Sequence, residues 1–435
     1  MDIRTRRDTL TGLLCNQDFH DRCRHLLESH PRTSFVLGVT NIDEFRAIND
    51  LHGWEAGDTL LSTLASRLIC LVGDEGVCAR IYADRFGFCL PCRSFLPDAF
   101  HAGLEDAIFW NEPDRVHIGL YEVLERDVPV GLMVEYALLA LESLERHRAP
   151  AWSWYEEGML EGARFRQQVI EGVTTGLSDG QFSLCFQPIF HCGTRKVAAA
   201  EALIRWHHPD LGEVCPDVFL PILERTSLVG RVDLFVLGEV CRLQARRVAA
   251  GDLVVPISVN LSRNDMSDPS FIPKAIALVD SFSLDHALVD FEITESAYTD
   301  YALLAADSLS VAGSGVGTLR RFGFKVLIDD YGTGYCNLDL LRRVPFDIMK
   351  IDQALISDLS DPFSANIVRH LIGAAADNGR LTVAEGVETI EQLEVLEGMG
   401  CSFLQGYYLS KPLAPGAFSA VLNRAGLADR SCEMM

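Results

Sequence analysis

Carboxylates recur at the ends of short apolar runs in the second half of this chain. Glu201 lies in VAAAEALIRW, Glu292 in LVDFEITES, and Glu385 in LTVAEGVE. Asp329 and Asp330 stand side by side in FKVLIDDYGTGY. Lys350 falls in FDIMKID, and the amides Asn260 and Gln405 hold the matching places in VVPISVNLS and FLQGYYLS. Many carboxylates gathered in one cleft cannot all stay ionised without cations. Oxygen donors suit Mg²⁺, Mn²⁺ or Ca²⁺ rather than a thiolate-bound metal. Two adjacent acids suit two ions with one acid bridging, and such a pair stabilises the attacking and leaving oxygens of phosphodiester cleavage. A lysine beside them orients or helps deprotonate the water, because its pKa responds to its surroundings. One acid at a strand end is usually a helix cap or a solvated loop position. Recurrence at equivalent strand ends points instead to a metal-dependent enzyme.

The elements that must position these residues follow a regular beat. The apolar runs SLCFQPIF, VAAAEALIRW, VVPISVNLS, LVDFEITES, KVLIDDYG, FDIMKID, LTVAEGVE and FLQGYYLS are mostly separated by stretches with helical spacing. About eight strands alternating with helices predict a (β/α)₈-type barrel. The C-terminal strand ends of such a barrel face its active site, so distant segments converge on one mouth. The first half mixes strands (SFVLGVTNID, VHIGLYEV), helical spacing (LLSTLASRLICLV, VPVGLMVEYALLALESLER) and a hairpin (VCARIYADRFGFCLP). That mixture predicts a small α/β or α+β domain. We read residues 1–155 as this first domain, 156–178 as a connecting helix or equally the last helix of the first domain, and 179–427 as the barrel.

Composition sets the class. The 435 residues suggest two or three domains. A formal net charge of −23 excludes non-specific binding to a nucleic-acid polymer. It leaves a small anionic substrate open, because metal ions invert the local field. Thirteen cysteines, an odd number scattered through apolar runs, read as reduced thiols of a cytoplasmic protein. The lone C-x-x-C, Cys89 to Cys92, reads as a strand-end coincidence. No apolar run reaches the ~18 residues of a membrane span, and the N-terminus lacks the apolar core of a signal peptide. No sensory segment precedes DTLTGLL, so an input signal would come through a partner or from residues outside this sequence.

EALIRW, SVNLS, FEITES, IDDYGTGY, MKID, AEGVET and QGYYLSKP resemble, in order and spacing, the EAL-domain cyclic-di-GMP phosphodiesterases, across residues 160–425. The resemblance implies a TIM-like (β/α)₈ barrel that hydrolyses cyclic di-GMP to linear pGpG with two Mg²⁺ or Mn²⁺ ions. It implies that Glu201, Asn260, Glu292 and Asp329 hold the first metal. It gives the second to Asp329, Asp330 and Glu385. Lys350 would act on the attacking water. Gln187, Arg205 and Gln405 would contact substrate or the water site. Arg205 suits a bidentate phosphate contact, though a structural salt bridge is a rival role. Glu295 would anchor the loop after the aspartate pair, and Asp352 and Glu388 would support the site from behind. His207 and His208 read as packing. Two departures stand out. Tyr331 and Cys336-Asn337 replace a phenylalanine and a serine pair in that loop, which puts rate or regulation in question more than ligation. Gly313, Gly315 and Gly317 fall where relatives carry a plain helix, so a break or loop is expected there.

The first half resembles a GGDEF domain, the diguanylate cyclase module, through DTLTGLLCNQDF, NIDEFRAINDLHGWEAGD and RIYADRFGF. The resemblance implies a small α/β, nucleotidyl-cyclase-like domain. Its signature is eroded. Tyr82 and Ala83 occupy glycine positions, Arg85 replaces an acid, and Asn41 replaces a metal-binding aspartate. The inhibitory R-x-x-D position reads Gly73 to Gly76. Cyclase activity is therefore not expected, since metal-assisted phosphoryl transfer loses its acids. Asn49 and Asp58 match the guanine-contacting positions and leave GTP binding open beside a purely structural or dimerising role. Relatives are commonly dimers. Two functions remain: a cyclic-di-GMP phosphodiesterase regulated by an inactive cyclase domain, and a non-catalytic cyclic-di-GMP receptor.

Overall fold

The computed structural model describes residues 6–106, 115–144, 150–226, 228–295, 297, 315–332 and 345–432. The chain divides into two compact units, residues 1–167 and 168–435. A helix spans Met159–Ser178, and the division falls within it.

The first unit is one six-stranded sheet between two helical layers. Its strands are β1 (Leu14–Cys15), β2 (Phe35–Ile42), β3 (Val77–Tyr82), β4 (Arg85–Pro91), β5 (Val116–Val123) and β6 (Trp152–Trp154), in the order β1-β3-β4-β2-β5-β6. Side chains alternate across the pleat. Val36, Phe86, Phe88, Leu90, Ile118 and Leu120 therefore enter one core, with Leu60, Leu64 and Leu68 of the helix Trp54–Val72. Phe35, Leu37, Val39, Cys89 and Tyr121 enter the other, with Phe19 and Cys23 of Asn16–Ser29 and Met133 and Ala137 of Val130–Glu142. The last helix lies directly on β5: a Cβ at Gly119 would sit 1.9 Å from the Ala137 carbonyl oxygen.

The second unit is the expected barrel with one strand reversed. Its strands are β7 (Phe182–His191), β8 (Val197–His208), β10 (Ile257–Leu261), β11 (Val289–Thr294), β12 (Lys325–Tyr331), β13 (Ile348–Ile351), β14 (Leu381–Ala384) and β15 (Phe403–Leu404). From β8 through β10 to β15 neighbours run parallel, while β7 runs antiparallel to both β15 and β8 and so closes the ring. The reversal follows from a short connection, since β7 and β8 form a hairpin where a parallel pair needs a long crossover. A short strand, β9 (Gly212–Val214), extends the far end of β8. Ile189, Leu327, Ile348 and Val383 form a buried cluster, with Ala199 and Phe403 packed against it.

Gly315 and Gly317 lie in a helix, Gly315–Arg321, so the break expected there is not found at those two positions. Val316 and Leu319 of that helix are buried, and this packing offsets the glycine penalty. Gly313 and the Cys336-Asn337 loop positions lie outside the described residues. Both cysteines of the C-x-x-C are free. Cys89 is buried on β4, and Cys92 opens the single 3₁₀ turn that follows. Among the described residues, no helix is long and apolar enough to cross a membrane.

Candidate active site

The site is one pleat above the buried cluster. Moving two residues along each strand keeps the same face, and it leads from Leu327 to Asp329, Ile348 to Lys350, Val383 to Glu385, Ala199 to Glu201 and Phe403 to Gln405. On β7 the step runs backwards, from Ile189 to Gln187, because that strand is reversed. Gln187 therefore lies opposite Glu201 in the hairpin register. Glu201 is not at the end of β8, as the sequence suggested. It sits where β8 leaves the ring, at its last pairing with β10 (Ser258 opposite Glu201), and the strand continues to His208.

Lys350 is the hub. Its side chain is 1% exposed, and its Nζ lies 2.7 Å from Glu292 Oε2, 2.7 Å from Glu385 Oε1, 2.8 Å from Asp329 Oδ1 and 3.3 Å from Glu201 Oε2. Burial alone would push its ammonium down, but the surrounding Asp329, Glu201, Glu292 and Glu385 hold it protonated well above the ordinary lysine range. The acids respond in kind. Burial pushes Glu385 up to about 8 despite the lysine, and burial with the neighbouring Asp329 pushes Asp330 up to about 6. Burial also raises Glu292 well above the carboxylate range. One ammonium does not balance five carboxylates.

The amides fix the acid geometry. Gln405 Nε2 donates to Glu201 Oε2 at 2.7 Å and to Gln187 Oε1 at 3.3 Å. Asn260 Nδ2 donates to Glu201 Oε1 at 3.3 Å. Gln187 Nε2 donates to the Ser410 carbonyl at 3.4 Å. Glu295 Oε2 accepts from the Gly332 amide at 3.1 Å, just past the aspartate pair. Asp352 caps the helix Gln353–Ser357 by accepting from the Ala354 amide at 2.7 Å.

Two consecutive residues of a regular strand point to opposite faces. Asp329 and Asp330 escape this rule because Asp330 adopts φ +54 and the register with β13 shifts between Ile328 and Tyr331. Both carboxylates then line one cleft of about 430 Å³, together with Glu201, Lys350, Glu385, Gln187 and Gln405. Asp329, Asp330 and Glu385 each offer an oxygen within 4.8 Å of the others. Glu292 Oε1 is buried without a hydrogen-bond partner. A set of hard oxygen donors with excess negative charge and an open lone pair fits divalent cations.

Other predicted residues fall less centrally. Asp352 and Glu388 line the cleft, the latter exposed. Arg205 does not line it; its Nη1 donates to the Ile204 carbonyl at 2.7 Å. Trp206 is fully buried and stacks on Phe182, and His208 packs against it with its Nδ1 accepting from the Asp210 and Leu211 amides, whereas His207, also expected to pack, is exposed. Sequence reasoning missed Leu203, Asp217, Gln353 and Tyr407, which also line the cleft. The two-residue step from Glu201 to Leu203 was a usable signal; nothing in the sequence marked the other three.

In the first unit, Tyr82 to Arg85 form the β3–β4 hairpin turn, with Ala83 at φ +49. Arg85 lies over the exposed Tyr82 ring, 5.1 Å from its centroid, and 3.7 Å from Glu142. Asn49 is buried against Gly57, while Asp58 is exposed.

Residues 170–412 match the model of the EAL domain, and residues 5–95 match that of the diguanylate cyclase, GGDEF domain. The bifunctional diguanylate cyclase/cyclic di-GMP phosphodiesterase MucR of Pseudomonas aeruginosa is 28% identical over 428 residues, 93% of this chain and 60% of that protein. The cyclic di-GMP phosphodiesterase NbdA of the same organism is 28% identical over 96% of this chain and 54% of its own length. An uncharacterized protein, y4lL, of Sinorhizobium fredii is 30% identical over 96% of this chain and 50% of its own. The chain thus spans about half to three fifths of these curated relatives. Among solved structures, the PaMucR phosphodiesterase in complex with c-di-GMP is 32% identical with a TM-score of 0.53, covering 58% of this chain and 99% of that one.

Proposed function

The chain belongs to the EAL-domain family, and from that premise we propose that it hydrolyses one phosphodiester bond of cyclic di-GMP, giving linear pGpG, with two Mg²⁺ or Mn²⁺ ions. The observation that carries the reading is the cluster of Glu201, Glu292, Asp329, Asp330 and Glu385 around Lys350 at the barrel mouth. Relatives named as cyclic di-GMP phosphodiesterases support the substrate.

Glu201, Asn260, Glu292 and Asp329 would hold one ion, and Asp329, Asp330 and Glu385 the other. The bound pair would stabilise charge on the attacking and leaving oxygens. Lys350, whose Nζ lies among Glu201, Glu292, Asp329 and Glu385, acts on the attacking water. Gln405 and Asn260 hold Glu201 in its ligating orientation. Gln187 and Gln405 face the substrate, and Arg205 serves it from outside the cleft lining. The first unit acts as a regulator without cyclase chemistry, with Asn49 and Asp58 as its GTP contacts. The protein works as a homodimer in the cytoplasm.

The test is direct. Incubation with cyclic di-GMP and Mg²⁺ or Mn²⁺ yields pGpG; a chelator stops it, and Glu201→Ala abolishes it. Binding without product would sink the enzyme and leave a receptor. Adding GTP changes the rate; an unchanged rate with no GTP binding would remove that part of the reading.

A further inference from the structure

Asn260 sits one residue before the end of β10, and the chain turns at once into the short helix Arg263–Ser267, capped by Ser262. That turn is tied down at three points. Ser262 Oγ accepts from the Asp265 amide at 3.2 Å, while Asp265 Oδ2 accepts from the Ser262 amide at 2.9 Å. Asn264 Nδ2 donates to the Glu224 carbonyl at 2.6 Å and to the Thr226 carbonyl at 3.1 Å, at the end of the helix Pro216–Glu224. The third point is the helix Val229–Ala250, where a Cβ on Gly230 would lie 2.8 Å from Asp265 Oδ1. Asp265 Oδ1 therefore faces this helix, and Asp233 stands on the same helical face, three residues after Gly230.

This third point joins two acids. Asp265 is 2% and Asp233 9% exposed, and the Phe271 ring lies 3.6 Å from that same Gly230 Cβ position. Asp233 Oδ2 is buried and meets no N–H or O–H donor of the protein. The charged groups nearby are Glu224 and Asp268, which add negative charge, and Arg263, which acts on Glu224. Two buried carboxylates in contact do not both stay ionised, so a cation or a proton must lie between them. Among the described residues, the acids whose oxygens converge as a trio within 4.8 Å are Asp329, Asp330 and Glu385; Asp233, Asp265 and Glu224 do not converge in this way. A proton is what remains. Asp265 already accepts from a backbone amide, which favours its ionised form. Burial, followed by the Asp265 charge, favours the neutral form of Asp233.

We propose that Asp233 donates a carboxyl hydrogen bond to Asp265, and that this bond clamps the turn after β10 and so aims Asn260 at Glu201 and the first metal. Asn260 Nδ2 reaches Glu201 Oε1 at 3.3 Å from that turn. Asp233 is thus a positioning residue that acts through Asp265 and the backbone. The proposal rests on the reading of Asn260 as a metal ligand and adds what holds it in place.

The experiment compares the full chain with Asp233→Asn and Asp233→Leu at pH 7. An asparagine amide donates to Asp265 without needing a shared proton; leucine is of similar size and donates nothing. The wild-type infrared spectrum shows a protonated-carboxyl band that both variants lack. Hydrogen exchange with chelator present speeds up about tenfold or more across residues 257–268 in Asp233→Leu, but not in Asp233→Asn and not in the first unit. Calorimetric affinity for Mg²⁺ alone falls about tenfold or more in Asp233→Leu and is restored in Asp233→Asn. Absence of that band from the wild type, unchanged exchange or Mg²⁺ affinity in Asp233→Leu, or equal losses in both variants would overturn the proposal. Should Asp233→Leu not fold, the band and Asp233→Asn decide: wild-type exchange and affinity in Asp233→Asn uphold the clamp, and a loss of either overturns it. If the wild type neither binds Mg²⁺ nor cleaves cyclic di-GMP, the metal reading fails alone, and the infrared and exchange results decide the clamp.

Discussion

Asp329 and Asp330 are consecutive on a strand yet open into the same cleft, because Asp330 takes a left-handed backbone conformation, φ +54. Aspartate and asparagine tolerate this region better than other non-glycine residues. The position thus demands both a backbone and a charge.

The two demands separate by substitution. Asp330→Asn keeps the backbone tolerance and loses the charge; Asp330→Ala loses both. We expect both variants to lose turnover, with Asp330→Ala less stable than Asp330→Asn by about 1 kcal/mol in urea unfolding with chelator present. Equal stabilities would show that the left-handed geometry carries no cost there.

Lys350 is the buried counter-ion of four acids. Removing one partner from a buried charge cluster typically costs about 3–5 kcal/mol. Lys350→Met should therefore melt well below the wild type in chelator. Saturating Mg²⁺ or Mn²⁺ should recover more of the melting temperature in the variant than in the wild type, because ligand binding stabilises the native state. An equal metal-induced rise in both proteins would contradict this role for the lysine.

Gln405 reaches Glu201 Oε2 at 2.7 Å. Groups that orient a metal ligand usually carry about 10–100-fold of affinity or activity. Gln405→Ala should lower metal affinity within that range while thermal stability in chelator changes little. Unaltered metal titration curves would remove Gln405 from the positioning set.

Away from the site, Asp233 and Asp265 lie close together behind β10, with Glu224 and Arg263 nearby. Burial, followed by the Asp265 charge, raises Asp233 well above the carboxylate range, and burial raises Asp265 and Glu224 as well. An acid whose native pKa exceeds its unfolded value binds protons more readily when folded. Its stabilising contribution is complete below the unfolded pKa, and it is lost as pH rises toward the native value. Asp233→Asn should gain stability over the wild type progressively from pH 4 upward. A constant difference from pH 4 to 8 would show that the pair does not titrate with folding.

Much of this was legible in the sequence because inward-facing strand positions are two apart. Asp329, Lys350 and Glu385 each stand two residues past an apolar partner in the buried cluster. The reversal of β7 was not legible, because an apolar run carries no direction; its antiparallel pairing with β8 and β15 reveals it. The helix at Gly315–Arg321 was missed because tertiary packing of Val316 and Leu319 overrides local propensity. Arg205 sits on the stretch of β8 that continues beyond the ring, outside the cleft lining, so the strand-end pattern does not report its place. Asp217 and Tyr407 come from a helix start and a loop, where no periodicity reports orientation.

The β7–β8 hairpin has a consequence for how the protein reaches its working state. Gln187 and Glu201 meet across one local hairpin, and such units form in about 1–10 μs. Lys350 lies 149 residues from Glu201 in the chain, and Gln405 lies 204. Contacts at that separation form slowly, since chain entropy must be lost before they reward it. One wall of the acid cluster is thus ready early in folding, and its lysine and amide arrive only when the ring closes. A nascent chain released before β13 is made would carry Glu201 without the cation that balances it.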